Sequence, residues 1–257
     1  MLEMMLASTP TGIALGDTGP GPSKLIGSYT NPNDKSLVNG YFGRIPSESF
    51  ITSRGLETAL SFSTGTANPE TNVWMKFYLD GKVLVIPVMP LRKSVSFRQL
   101  YQAGLAYGVN GPGSVPSGAA VNQYRTVTVA GYVYLVRLLR GLTTNTIKIR
   151  DGDSGYMELY PEAINSEFSR TLFNVNKSVR PAVQKTGGGW DTFSDTDLGF
   201  SVETYGYLNW CLEEEASATG NRLVRGGARG EQGMGALSTS ATIYYSWRPV
   251  LELVGRA

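Results

Sequence analysis

The sequence predicts an α+β fold in which two helices flank a twisted, mostly antiparallel sheet joined by long loops. Three observations carry that prediction. Val73, Met75, Phe77 and Leu79 alternate with Trp74, Lys76 and Tyr78, and Asp80-Gly81 then leads into the apolar run Val83-Leu84-Val85-Ile86-Pro87-Val88, a hairpin signature with a type I′ turn. Ser96 followed three residues later by Gln99 is a capping box that opens a helix. The segment Ile243 to Val254 is rich in β-branched and aromatic residues and reads as a terminal strand returning to the core.

Taken in order, residues 1–38 are dominated by Ser, Thr, Gly, Pro, Asn and Asp, with Gly19-Pro20-Gly21-Pro22 and Asn31-Pro32-Asn33-Asp34 as punctuation. That composition supplies no core and predicts an extended arm ahead of one globular domain, residues 39–257. Two readings of the arm stand: a loose chain end, or an arm lying across a neighbouring subunit. The first basic residue is Lys24, so the arm is no electrostatic tether. Residues 53–61 fit a brief helix through Leu56 to Leu60. Pro87 belongs at a strand end or edge, because it cannot donate to a ladder. The capped helix is expected to run to about Tyr107 and to pack Phe97, Leu100, Tyr101 and Leu105 on the sheet. A Gly, Pro, Ser and Asn loop follows over 108–123, then strands over 124–129 and 132–139 joined at Ala130-Gly131. A second helix is expected from Pro161 to about Phe173, and residues 174–200 return to loop.

Composition narrows the function. The 257 residues suffice for one full core, and 31 glycines with 13 prolines favour loops and strands over helices. A net charge of +2 with scattered basic residues argues against nucleic acid as a partner, since phosphate binding needs clustered positive charge. No run of about 18 apolar residues exists, so membrane insertion is not expected. The start, Met1 to Ala7, lacks the basic residue of a secretory signal, which predicts synthesis in a cytoplasm. Histidine is absent and Cys211 is alone, which removes Ser-His-Asp and Cys-His catalysis, histidine metal cages and cysteine zinc sites. No enzyme activity and no cofactor are expected.

Several constellations have a plain reading beside a functional one. Asp151, Asp153 and Glu162 stand at positions 1, 3 and 12 of a calcium-loop count, but Tyr156 replaces the glycine at position 6 and Gly155 offers no oxygen at position 5. Turn and helix-cap chemistry is the preferred reading, and no metal site is assigned. Cys211, beside Glu213, Glu214 and Glu215, reads as a buried small residue rather than a reactive thiol. The glycines of 226–235 lack the Gly-Lys-Ser/Thr ending of a phosphate loop. Trp190 and Asp191, in a triple-glycine loop, with Phe193, Tyr205, Tyr207 and Arg229, form the candidate binding surface; aromatics on loops suit sugar faces or protein grooves. The alternative is that Trp190 folds inward to plug its loop. Arg225 and Arg248 are expected to pair in the interior with Glu213 to Glu215 or with Glu252.

The order from Leu208 to Val254 also carries a resemblance. A Trp segment, Leu208-Asn209-Trp210-Cys211, precedes the strand Asn221-Arg222-Leu223-Val224-Arg225-Gly226-Gly227, a glycine-rich loop, and the finish Trp247-Arg248-Pro249-Val250-Leu251-Glu252-Leu253. This resembles the C-terminal half of the C-type lectin-like fold, in the branch of formylglycine-generating enzymes and phage receptor-binding proteins, and the ending of many tailed-phage virion proteins. The enzyme activity does not carry over, because that chemistry uses a cysteine pair. The resemblance implies a C-type lectin-like domain and a non-enzymatic structural component of a tailed-phage virion, in the tail, collar or neck, a fibre or a capsid appendage. Its partners would be copies of itself and other virion proteins. The alternative is a receptor-binding module for host attachment, gripping a cell-surface glycan or protein through loops 187–197 and 227–240.

Overall fold

A computed structural model of the chain describes residues 16–31, 34–35, 37–71, 73–147, 161–177, 188–200, 207–215, 220–227 and 232–257. The architecture is α+β, with open, mostly antiparallel sheets and few helices.

The first sheet grows from the predicted hairpin. Strands β4 (Val73–Leu79) and β5 (Lys82–Pro87) are joined by Asp80 and Gly81, both at positive φ, 48° and 88°, as a type I′ turn requires. Pro87 closes β5, where its missing N–H costs no ladder bond. Around this pair the order is β1 (Gly27–Thr30), β2 (Val38–Pro46), β4, β5, β14 (Pro249–Arg256), β8 (Tyr132–Leu138) and β7 (Arg125–Val129). The terminal strand therefore sits between β5 and β8, well inside the sheet. Trp247 precedes it, fully buried, in the short strand β13 (Tyr245–Trp247).

The second sheet runs β12 (Gln232–Leu237), β11 (Asn221–Gly226), β10 (Leu208–Glu215), β13, β6 (Arg92–Lys93) and β3 (Thr66–Ala67), with β9 (Thr146–Ile147) also pairing with β10. Residues 232–237 correct the expected glycine-rich loop: they form a strand in register with 221–226, from Asn221 opposite Leu237 to Gly226 opposite Gln232. Backbone pairing needs no side chains, which is why Gly233-Met234-Gly235 carries no pattern to read.

Alternate side chains of the first sheet enter different cores. Trp74, Val85 and Leu251 join Leu56, Phe97, Leu100, Trp210 and Trp247 in one; Met75, Phe77, Leu84, Ile86 and Val250 join Phe168, Leu172, Cys211 and Leu223 in the other. Burial on both faces explains the nearly unbroken apolar run of β5.

Helix α1 (Ser53–Leu60) is capped by the Thr52 hydroxyl and ends at Ser61 in the left-handed region. Helix α2 (Phe97–Gln102) has both bonds of the capping box at Ser96 and Gln99. It stops short of the expected Tyr107 because Gly104 turns to φ 75° and its N–H, with that of Leu105, closes back on Tyr101 and Leu100. The expected helix from Pro161 to Phe173 is broken in two: α3 (Pro161–Ile164), then a wider π turn over Ser169–Phe173. The cause is local, since the Ala163 carbonyl accepts from the hydroxyls of Ser166 and Ser169, both at 2.7 Å, instead of from the backbone four residues on.

The described part of the arm lies on the chain's own first sheet. Asp17 accepts from Arg256 Nε (2.7 Å) and from the Tyr132 hydroxyl (3.0 Å), residues 18–22 cross over Lys76, and β1 pairs antiparallel with β2.

Candidate functional site

The predicted binding surface is built into the framework more than it is displayed. Trp190 is partly buried against the core, its ring lying directly over Gly27 of β1, where a side chain would not fit. Asp191 accepts from the Tyr41 hydroxyl (2.5 Å) and from Arg44 Nη2 (2.5 Å) and Nε (3.0 Å). Burial raises its carboxyl, but the bonds from Arg44 and Tyr41 outweigh that and hold it below the usual range. Burial, reinforced by Asp191, pushes the Tyr41 phenol far up. Phe193 is buried, with the Arg44 guanidinium 4.1 Å from its ring centre. Loop 188–193 is thus fastened to β2, while Trp190 clamps β1. Tyr207 is partly buried and bridges by backbone, donating to Gly199 O (2.9 Å) and accepting from Gly227 N (3.1 Å). Tyr205 and Arg229 lie outside the described residues.

The two interior arginines do not meet Glu213, Glu214 or Glu252, and the Glu215 side chain lies outside what is described. Arg225, fully buried, donates to the carbonyls of Gly141 (2.9 Å) and Ala163 (3.3 Å) and to the hydroxyls of Ser166 (2.8 Å) and Ser169 (3.2 Å), and it stacks 4.5 Å from Phe168. Arg248 donates to the Leu198 carbonyl beside the Phe200 ring. Burial pushes the two guanidiniums down, to about 10 and about 9. The carboxylates go elsewhere: Glu214 to Arg222, Glu252 to Arg137 and Lys82, and Glu213 to the Gly141 N–H, 3.8 Å from Arg140. Arg225 thus rests on carbonyls, hydroxyls and ring faces, while its Nε and the Nε and Nη1 of Arg248 are buried with no hydrogen-bond partner, and sequence offered no signal for that choice.

A cleft that the sequence reading missed opens between the sheets, with a volume of about 410 Å³. Its floor is a chain of ion pairs. Arg137 grips Glu167 through two bonds of 2.8 Å and holds Glu252 at 2.9 Å; Glu252 also meets Lys82 at 2.8 Å, and Arg170 grips Asp80 through two bonds of 2.6 Å. Burial raises the Glu252 carboxyl, but Arg137 and Lys82 outweigh it and hold it below the ordinary value. An adjoining hollow of about 310 Å³ shares Tyr107, Val109, Arg140 and Leu212 with the first and adds Ser114, Asn145 and Glu214. Glu167 and Glu252 share the Arg137 guanidinium, which ties β8 to β14 and to the segment after α3.

Of the calcium-loop count, Asp151 and Asp153 lie outside the described residues, and the Glu162 backbone carbonyl accepts from Thr143 N at 2.9 Å. Cys211 is fully buried, and burial with nearby Glu213 pushes its thiol well above the usual value. Among the described residues no helix is long and apolar enough to cross a membrane. No family model, no curated protein and no solved structure matches the chain.

Proposed function

We propose that the chain is a non-enzymatic structural component of a tailed-phage virion, working through assembly contacts with copies of itself and with neighbouring virion proteins. One observation carries the assembly reading: three exposed large apolar residues stand at outer strands of the two sheets, whereas Val109, Val115 and Val254 are exposed elsewhere. Ile26 precedes β1, Tyr124 precedes β7 at the opposite edge, and Leu237 ends β12, with Ile243 exposed in the connection that follows. Open edges bordered by apolar side chains are where sheets recruit further chain. The buried Arg137, Arg170 and Arg225, by contrast, are engaged in ion pairs, carbonyl contacts and ring contacts. The virion setting rests on the resemblance of the Arg225-Gly226-Gly227 strand and the Trp247 to Leu253 finish. We assign the domain to a C-type lectin-like arrangement on the same ground, supported by the return of β14 to the middle of the first sheet.

A receptor-binding role is the second reading. The cleft favours it, because Tyr107, Arg140, Asn145 and Glu214 combine an aromatic ring with donors and acceptors, the chemistry that sugar hydroxyls require.

Light scattering and electron microscopy of the purified full chain, with a parallel assay of its binding to susceptible bacteria, separate the readings. Discrete multimers that ignore cells support assembly. A monomer that coats cells and blocks infection supports the receptor role, and turnover of a glycan overturns both.

A further inference from the structure

Lys76 stands in the middle of β4, fully buried, with no carboxylate in ion-pair contact among the described residues. Among the described residues, every acceptor around its ammonium comes from the arm. The nitrogen lies within hydrogen-bond distance of Thr18 Oγ1 (3.2 Å) and of the carbonyls of Gly19 (3.2 Å), Pro20 (2.9 Å) and Pro22 (2.8 Å), with the Phe42 ring centre 4.9 Å away. Gly19 and Gly21 make this possible, at φ 75° and 80°, by turning successive carbonyls inward. A methyl group on Gly21 would come within 2.7 Å of Ile45, and one on Gly19 within 3.1 Å of the Tyr134 hydroxyl. The Gly-Pro-Gly-Pro segment therefore fits its seat as a peptide ligand fits a receptor.

The arm is nevertheless not part of either core. No described residue before Tyr41 belongs to the two apolar clusters. Its hold includes the Lys76 contacts, the Asp17 bonds, the ladder of β1 on β2 and the Trp190 ring over Gly27. Removing it would uncover a buried ammonium, the Ile45 and Tyr134 side chains against which Gly21 and Gly19 lie, and the open edge of β2. The body is thus incomplete without an arm, and it has no means of distinguishing its own arm from another copy's. Residues 32–37 link arm to body and span roughly 20 Å when extended. At the seam stands Ile26, 64% exposed, ready to be covered by an approaching copy.

We propose that assembled copies of this chain exchange arms, residues 17–30 of one copy filling the Lys76 cradle and extending the β2 edge of the next. The inference rests on the assembly reading above and specifies its mode. Exchange keeps every contact already described, and packing copies side by side supplies the local concentration that makes it competitive.

The test uses the full chain and the register of β1 on β2, in which Thr30 lies opposite Val38. Thr30→Cys chains are co-expressed with size-tagged Val38→Cys chains, oxidised, and resolved without reductant; Cys211 stays buried in both. A disulfide joining the two kinds of chain is expected in the multimer fraction. Adding Gly21→Ala to both chains, with circular dichroism to confirm folding, should lower its yield at least tenfold by unseating the arm. Multimers without the mixed disulfide overturn arm exchange and leave the assembly reading standing. A monomer at every concentration overturns exchange and self-assembly together.

Discussion

Arg137 and Glu167, thirty residues apart in sequence, are joined by two parallel bonds of 2.8 Å, with both side chains almost wholly removed from solvent. The pair ties β8 to the segment after α3, and Glu252 on the same guanidinium adds β14. Deleting one member leaves the other charged and buried, a loss of about 3–5 kcal/mol. Arg137→Met or Glu167→Met should each lower urea stability on that scale, and the two together should cost less than the sum. Additive losses in the double-mutant cycle would show that the two side chains are not coupled.

Glu213 supplies a pH test. Burial pushes its carboxyl up to about 7, against hydrogen bonds from Gly141 and itself that pull the other way. A carboxyl whose pKa is higher folded than unfolded binds its proton more tightly in the folded chain. Its stabilising contribution is therefore complete below the unfolded value and is lost as pH rises through about 7. The full swing is on the order of 3 kcal/mol, from the cost of each pKa unit. Urea midpoints at pH 5 and pH 8 should diverge in the native chain and converge in Glu213→Gln. Equal slopes in the two proteins would place the titration elsewhere.

Gly226 explains why the strand ends in Arg-Gly-Gly. Its φ of 124° lies where L side chains rarely go, and a β-carbon there would strike the Tyr207 carbonyl and crowd the Asn209 amide, 3.0 Å away. Gly226→Ala should destabilise the chain by about 2 kcal/mol or more, since backbone must move. Gly81→Ala is the control, because nothing lies within 4 Å of its β-carbon position and only the φ strain remains. Comparable thermal shifts for both would reduce the Gly226 requirement to φ alone.

Local chemistry was legible wherever neighbours in sequence are also neighbours in space. The Asp80-Gly81 turn, the Ser96 capping box, the strand-ending Pro87 and the inward return of β14 follow from steric and pairing rules that act over a few residues. Lys76 shows the limit: nothing in the alternation of β4 announces that it is buried, and it is buried because the arm crosses over it. Trp190, Asp191 and Phe193 likewise met partners far away, Gly27 and the Tyr41–Arg44 stretch, that no spacing could announce. The break at Ser166 depended on serine hydroxyls claiming the Ala163 carbonyl, with Arg225 arriving from 62 residues further on.

By itself, the sequence determined the α+β class, the hairpin, the capped helix and the removal of histidine and cysteine-pair chemistry, because those depend on residue types and short-range geometry. Only the tertiary structure decided which charges are buried, what each buried charge leans on, and where the arm lies. Desolvation and hydrogen-bond partnership are properties of the surroundings, and the surroundings here are assembled from segments as much as 239 residues apart.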